Sequence, residues 1–172
     1  LCHNALDRHL AARAEQKALV WISTEVDRQR TYTYRELHAE VQRAAAMMQS
    51  LGVRRGDRVI IYMPMIPEAV EAMLACARLG AIHSVVFGGF AANELAVRID
   101  DCTPKAIIAA SCGIEPNRVV HYKPLLDAAI DMATHKPDFC VILQREQEVA
   151  HLTEGRDVSW HGFQYGVEPA EC

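Results

Sequence analysis

The sequence lacks the features that would place the protein in a membrane, on nucleic acid or around a metal ion. No apolar run approaches the roughly 20 residues of a membrane-spanning helix, and no signal peptide opens the chain. The formal net charge of −4 leaves no basic excess for contacts with nucleic-acid phosphates. The eight histidines show no HExxH or other ligand spacing. We therefore expect no metal site and neither nucleic acid nor a membrane among the partners.

The cysteines also lack any pairing pattern. There are six of them without a CxxC pair, at Cys2, Cys76, Cys102, Cys112, Cys140 and Cys172. Four lie in or beside apolar segments, where a free thiol behaves as a small hydrophobic group. This predicts reduced thiols and a cytoplasmic protein, or one of an organellar matrix if the source is eukaryotic.

Length and composition are those of one globular unit. The 172 residues are 51% hydrophobic and 23% charged, which is typical of a folded soluble domain. An initiator methionine is missing, and Leu1 starts inside a predicted amphipathic helix, in which residues 4–10 have helical spacing of their apolar positions. We expect the chain to be a trimmed piece of a longer protein.

A strand, a helix and a strand at residues 57–87 form the centre of the predicted fold. Residues 59–62 are a short apolar run typical of a strand that is buried on both faces. Pro67 suits the first turn of a helix, and Gly80 suits its C-terminal end. Residues 83–87 are the next predicted strand. The pattern predicts one right-handed βαβ unit.

The predicted helix after Pro67 has only a thin polar strip. Glu68, Glu71 and Arg78 fall on that strip at helical spacing, and the other positions from 69 to 79 are apolar and mostly small. Such a helix is expected to be nearly buried against a sheet.

The flanking segments continue the alternation of strand and helix. Residues 17–24 and 31–33 predict a hairpin, and Thr33 with Glu36 predicts a capping box at the start of a long helix. Further strands are predicted at 105–110 and 139–143, a loop at 111–123, and a weakly patterned polar tail after residue 143. The fold class is therefore α/β, with a mainly parallel sheet and helices on both faces.

A dinucleotide-binding fold does not fit the turn after the first buried strand. Residues 63–68 of that turn contain no glycine and two prolines. A pyrophosphate needs close backbone approach and free N–H groups at the helix start, and Glu68 would repel it.

Two other segments are candidate binding sites, because each follows the carboxyl end of a predicted strand. The first is the turn Phe87-Gly88-Gly89-Phe90, for which a tight turn with positive φ is the simpler alternative. The second is the loop Glu115-Pro116-Asn117-Arg118, where Arg118 could grip a phosphate with two hydrogen bonds. Its simpler alternative is an exposed loop arginine.

The run YMPMIPEAVEAMLACARLGAIHSVVFGGF at residues 62–90, with Leu95 and Arg98-Ile99-Asp100 after it, closely resembles the short-chain acyl-CoA synthetases. These are AMP-forming ligases of the adenylate-forming superfamily. The resemblance extends from residues 4–9 through 31–37 to about residue 160. Within the family, residues 110–130 are similar to the propionyl-CoA synthetase branch, whereas acetate-type enzymes carry an arginine in place of Glu115.

The resemblance implies a part in binding coenzyme A. Phe87, Gly88 and Gly89 would line the adenosine, and Arg118 in the quartet with Glu115, Pro116 and Asn117 would meet the 3′-phosphate. The carboxylate of Glu115 replaces a favourable charge with a repulsive one, so phosphate binding would depend on Arg118 alone, and pairing between the two would weaken it further.

The resemblance also implies an incomplete enzyme. No TSGTTG-like phosphate loop occurs in the sequence, and the acyl pocket, the ribose-binding aspartate and the catalytic lysine of the family lie further along its members. We expect residues 1–172 to be an N-terminal portion of the large adenylation domain: a lead-in at 1–56, a βαβ core at 57–143 and a polar tail at 144–172.

This portion would hold no catalytic residue. The parent would use a short-chain carboxylate, ATP with Mg and coenzyme A as substrates, none held tightly by this piece, which could self-associate through apolar surface. The acetyl-CoA synthetase branch and a non-catalytic α/β interaction module remain as alternatives.

Overall fold

The computed structural model describes residues 1–23, 26–116 and 118–164. Its strands, in chain order, are β1 (Lys17–Ser23), β2 (Arg28–Thr33), β3 (Arg58–Met63), β4 (Ile82–Phe87), β5 (Ala106–Ala110), β6 (Cys112–Glu115), β7 (Arg118–His121), β8 (Phe139–Leu143) and β9 (Asp157–Ser159). Its helices are α1 (Cys2–Ala5), α2 (Leu10–Arg13), α3 (Tyr34–Ser50), α4 (Pro67–Leu79), α5 (Ala92–Cys102), α6 (Tyr122–Met132) and α7 (Trp160–Gln164).

A parallel five-stranded sheet in the order β4-β3-β5-β8-β9 is the centre of the molecule. The predicted α/β class and the predicted strands of the sheet, which are β3, β4, β5 and β8, are confirmed. The crossovers from β3 to β4 and from β4 to β5 run in opposite directions along the sheet. Right-handed crossovers then put α4 and α5 on opposite faces, where α4 packs on α3 and α5 packs on α6.

The core lies between these two layers of helices. Every residue of β5 and each residue from Val59 to Tyr62 in β3 is 0% exposed, as expected for strands covered on both faces. From α5, Leu95 and Ile99 reach the same core.

The predicted helix boundaries are confirmed where capping chemistry defines them. The Thr33 side chain accepts from the Glu36 N–H, and the Glu36 carboxylate accepts from the Thr33 N–H, which closes the capping box of α3. Helix α4 begins at Pro67 and ends before Gly80, which has a φ of 71°. No helix in the described parts of the chain is long and apolar enough to cross a bilayer.

The N-terminal segment differs from the predicted single helix. A 3-10 turn at Asp7–His9 separates α1 from α2. The turn places both carboxylate oxygens of Asp7 at 2.9 and 3.0 Å from the guanidinium of Arg78, and Oδ1 at 3.1 Å from Nε2 of His38. The N-terminal segment thus folds over Arg78 of α4, and both Arg78 and Glu71 are buried. The prediction that this helix is nearly buried is confirmed for both of these polar side chains.

The polar tail also contains an element that its pattern does not predict. Strand β9 pairs in parallel with β8 and extends the sheet. It is only three residues long, and its Asp157 side chain is fully buried beside Lys123 and Arg156. Burial of an acidic residue on such a short strand is possible because both partners neutralise it.

Candidate functional site

Two loops leave the carboxyl edge of the sheet on either side of β3. The turn at residues 87–90 follows β4, and the hairpin of β6 and β7 follows β5. Strand β3 lies between β4 and β5, and the crossovers diverge there. In open α/β sheets this switch point forms a crevice in which ligands bind. The two segments singled out in the sequence therefore lie at the expected edge.

The first loop is a tight turn. The Phe90 N–H donates to the Phe87 carbonyl over 3.2 Å, and the two rings meet edge-on with centroids 6.3 Å apart. Gly89 has a φ of 117°, in the left-handed region that favours glycine. The tight turn with positive φ is thus confirmed. The Phe87 side chain, at the end of β4, is 64% exposed and free to meet a ligand.

Gly88 is required for a different reason. Its φ is not positive, but a β-carbon at this position would stand 2.4 Å from Oη and 2.5 Å from Cε2 of Tyr122. A β-carbon essentially never lies within 3.0 Å of a non-bonded heavy atom, so any side chain at this position would displace the ring or the turn. The absence of a side chain lets the turn lie directly on Tyr122.

The second loop is a β-hairpin rather than the loop predicted at residues 111–123. Cys112 pairs with His121 at its base and Glu115 with Arg118 at its tip. Pro116 lies at the tip, where its fixed φ suits a turn. The fourth member of the quartet, Asn117, lies outside the described residues. The error arose because strands of four residues carry too little alternation to be seen.

At the tip of the hairpin, Arg118 is paired with Glu115. Nε of Arg118 donates to the Glu115 carboxylate over 2.8 Å, with side chains that are 70% and 48% exposed, respectively. This hydrogen bond and the opposite charge raise the pKa of Arg118. An exposed pair of this kind is weak, so an incoming phosphate can compete with the carboxylate. The pairing that the sequence left open is therefore present.

Tyr122 joins the two loops, and sequence reasoning did not single it out. A β-carbon on Gly113 of the hairpin would stand 2.2 Å from Oη and 2.8 Å from Cε1 of the ring. Gly88 approaches the opposite ring edge, at Cε2. The hydroxyl end of this buried ring is therefore wedged between two glycine backbones, one from each loop. The two glycines lie 25 positions apart in the sequence, and no local pattern relates them.

Tyr62 of β3 supports the same arrangement from below. Its ring centroid is 5.0 Å from that of Tyr122. Its hydroxyl donates to the Phe90 carbonyl over 3.0 Å, which ties the turn to the sheet. Burial raises the pKa of Tyr62, against a smaller opposing effect of a backbone hydrogen bond at Gly89, so the hydroxyl keeps its proton at neutral pH.

A buried ionic network fixes the first turn of α6, from which Tyr122 projects. Nζ of Lys123 lies 2.6 Å from Asp127 and 2.9 Å from Asp157, and Arg156 pairs with both carboxylates. Burial opposes ionisation of Asp157, but its hydrogen bonds to Arg156 and Lys123 outweigh this and lower its pKa. The network links the first turns of α6, which directly follows the hairpin, to β9.

Sequence reasoning also missed a pocket of about 400 Å³ at the carboxyl end of β8, with a lining that is partly charged and partly apolar. Its lining includes Arg28, Arg30, Arg145, Glu146 and His161. Arg28 and Glu146 form an ion pair across 118 positions, a juxtaposition that only the folded chain reveals. Among the described residues, no three His, Cys, Asp or Glu side chains cluster as metal ligands.

Comparison with known proteins identifies relatives along nearly the whole chain. The model of the family described as AMP-binding enzyme matches residues 6–168. The chain is 54% identical over 168 residues, 97% of its length, to an uncharacterized protein of Pseudomonas aeruginosa. It is 48% identical over 165 residues, 96% of its length, to propionate–CoA ligase of Escherichia coli. It is 44% identical over 174 residues, 100% of its length, to mitochondrial acyl-CoA synthetase short-chain family member 3 of Rattus norvegicus.

These alignments cover 27%, 26% and 26% of the three relatives, so the chain spans about a quarter of their length. The resemblance to short-chain acyl-CoA synthetases seen in the sequence is confirmed by the names of two of these relatives. With a family match over residues 6–168 and relatives above 40% identity, the chain belongs to the AMP-binding enzyme family.

Proposed function

We propose that the protein to which these residues belong is an AMP-forming short-chain acyl-CoA ligase that acts on propionate. The observation that carries the proposal is the 48% identity to a propionate–CoA ligase over 96% of the chain. The reaction joins propionate to ATP to give propionyl-AMP and pyrophosphate. The thiol of coenzyme A then displaces AMP to give propionyl-CoA. ATP with Mg and coenzyme A are therefore substrates.

The described residues contribute scaffold and part of the coenzyme A rim in this proposal. The adenosine would lie against Phe87, Gly88 and Gly89, and the 3′-phosphate would meet Arg118. Supporting this, both loops lie at the switch point of the sheet, and the exposed Phe87 ring and the exposed guanidinium face the solvent there. Glu115 tunes the site, since it already pairs with Arg118. Pro116 lies at the hairpin tip, and Asn117 belongs to the proposed quartet by its position in the sequence.

The test is the substitution Arg118→Ala in the full-length ligase. We expect the KM for coenzyme A to rise roughly tenfold, the lower end of the range for a charge-assisted phosphate contact, because Glu115 competes for the guanidinium. The adenylation half-reaction, followed as propionate-dependent ATP–pyrophosphate exchange, should hardly change, since coenzyme A enters only in the second step. Glu115→Arg should lower the KM for coenzyme A.

The matched control is Arg35→Ala. Arg35 is an exposed arginine paired with Glu15 over 2.8 Å, the same separation as between Arg118 and Glu115, but it lies on α3. The KM for coenzyme A that lacks its 3′-phosphate should be the same in the wild type and in Arg118→Ala. If the variant slows adenylation as much as thioester formation, Arg118 has a structural role and the proposed contact is wrong.

The unpaired side of the sheet carries a second part of the proposal. Strand β4 forms one edge, and its Ile82, Val85 and Phe87 side chains are exposed. Together with exposed Ile22 and Met65, this apolar surface should cause the isolated 172-residue chain to self-associate. Sedimentation that shows only a monomer at high concentration would refute this.

We also propose a reducing compartment, the cytoplasm or an organellar matrix. The support is that the five cysteines within the described residues, Cys2, Cys76, Cys102, Cys112 and Cys140, form no disulfide. The test is to extract the protein from cells without reduction, denature it and alkylate its thiols. Complete alkylation would support the proposal. Incomplete alkylation would oppose it.

A further inference from the structure

We infer that Tyr122 is a positioning residue that fixes the distance between the turn at residues 87–90 and the β6–β7 hairpin, and thereby aligns Arg118 with the 3′-phosphate of coenzyme A. The inference rests on the proposed function. It adds a residue outside both loops, which neither the binding chemistry nor the sequence pattern assigns.

The backbone of Tyr122 belongs to the hairpin side. Its N–H donates to the Ser111 carbonyl over 3.0 Å. This hydrogen bond lies next to Cys112 and His121, the strand partners at the base of the hairpin. The next residue, Lys123, is held in the buried ionic network. The ring therefore projects from a rigid base.

The ring of Tyr122 reaches from that base to the other loop. Gly88 and Gly113 approach opposite edges of the ring, so closely that neither could carry a β-carbon. Neither glycine has a positive φ, so close approach to the ring is what excludes a side chain at both positions. The hydroxyl end of the ring therefore packs directly against the backbones of both loops.

A fixed separation matters because one ligand must meet both loops at once. Gly113 precedes Glu115 by two strand residues, so the hairpin tip stands roughly 7 Å beyond the ring. If the turn holds the adenosine and the tip holds the 3′-phosphate, a shift of one loop relative to the other misaligns the phosphate contact. Binding groups need placement to about 0.5 Å to act together.

The experiment compares coenzyme A with its 3′-dephospho form in the full-length ligase. The readout is the KM for the 3′-dephospho form divided by the KM for coenzyme A. This ratio measures the contribution of the phosphate contact and is insensitive to general damage. Tyr122→Leu removes the ring end and should reduce the ratio about tenfold, to the level of Arg118→Ala. Tyr122→Phe keeps the ring and should retain most of the discrimination.

The matched control is Tyr32→Leu. Tyr32 is another buried tyrosine, but it packs in a separate cluster with Leu37 and Val41. The Tyr32→Leu substitution should lower the thermal stability, as Tyr122→Leu does, but it should leave the KM ratio unchanged. If Tyr122→Leu does not fold, Gly113→Ala replaces it, since it displaces the same ring and should give the same loss.

The outcomes separate the two proposals. If Arg118→Ala reduces the ratio but the Tyr122 and Gly113 variants do not, the positioning role is overturned and the coenzyme A site stands. If Arg118→Ala itself leaves the ratio unchanged, the proposed phosphate contact fails, and the positioning role fails with it. An equal loss in Tyr32→Leu would show that the effect reflects stability alone.

Discussion

Replacing Glu71 with glutamine should stabilise the fold at neutral and alkaline pH and not near pH 5. Glu71 lies on α4 and is 3% exposed. Burial, followed by the charges of Glu68 and Glu40, raises its pKa from 4.5 to about 8, while Arg30 and Tyr32 oppose the shift. A carboxyl group whose pKa rises on folding holds its proton more tightly in the native state than in the unfolded chain.

The sign and size of the effect follow from this difference. Between pH 4.5 and about 8 the native state binds the extra proton, so the free energy of unfolding falls as the pH rises through that window. The slope is about 1.4 kcal/mol per pH unit, which makes the cost roughly 3 kcal/mol at pH 7. Part of the gain on substitution is offset by burial of the glutamine amide, so we expect roughly 2 kcal/mol.

The assay is urea unfolding of the wild type and Glu71→Gln at several values between about pH 5 and pH 8. The two unfolding free energies should converge near pH 5 and separate steadily above it. Glu68→Gln is the matched control on the same helix, with a half-buried side chain. Because burial is the larger cause, this variant should keep most of the wild-type slope. Parallel pH profiles for the wild type and Glu71→Gln would refute the reasoning.

Two further predictions concern the N-terminal segment and the chemistry. Asp7→Ala should lower the free energy of unfolding by about 3–5 kcal/mol, because it leaves the buried Arg78 charge unpaired; urea unfolding measures this, and a loss below about 1 kcal/mol would show that water or another group replaces Asp7. The 172-residue chain alone should show no propionate-dependent ATP–pyrophosphate exchange, since its sequence contains no TSGTTG-like loop; exchange that persists after removal of full-length enzyme would contradict this.

The central part of the fold could be predicted because its signals are local. The apolar run of β3, Pro67 and Gly80 at the ends of α4, and the Thr33–Glu36 capping box each lie within a few residues, and the structure agrees with all of them. The carboxyl-edge position of both candidate loops followed from the sequence because each loop comes directly after a predicted parallel strand.

The features that could not be predicted depend on contacts between distant residues. The ion pair between Arg78 and Asp7 could not be predicted, because 71 positions separate the two residues. Strand β9 is short and polar, and its buried Asp157 is paired with Lys123, which lies 34 positions earlier in the sequence. For the hairpin, Pro116 was a usable turn signal that the sequence interpretation did not weigh.

The close packing around Tyr122 also limits the order in which three positions can change during evolution. While the ring is present, a side chain at Gly88 or Gly113 clashes with it, so neither glycine can be replaced first. Once position 122 has lost its ring, this clash is gone at both positions, and an alanine at position 113 then blocks the return of a tyrosine. The neutrality of a substitution at any one of these positions is therefore conditional on the history of the other two.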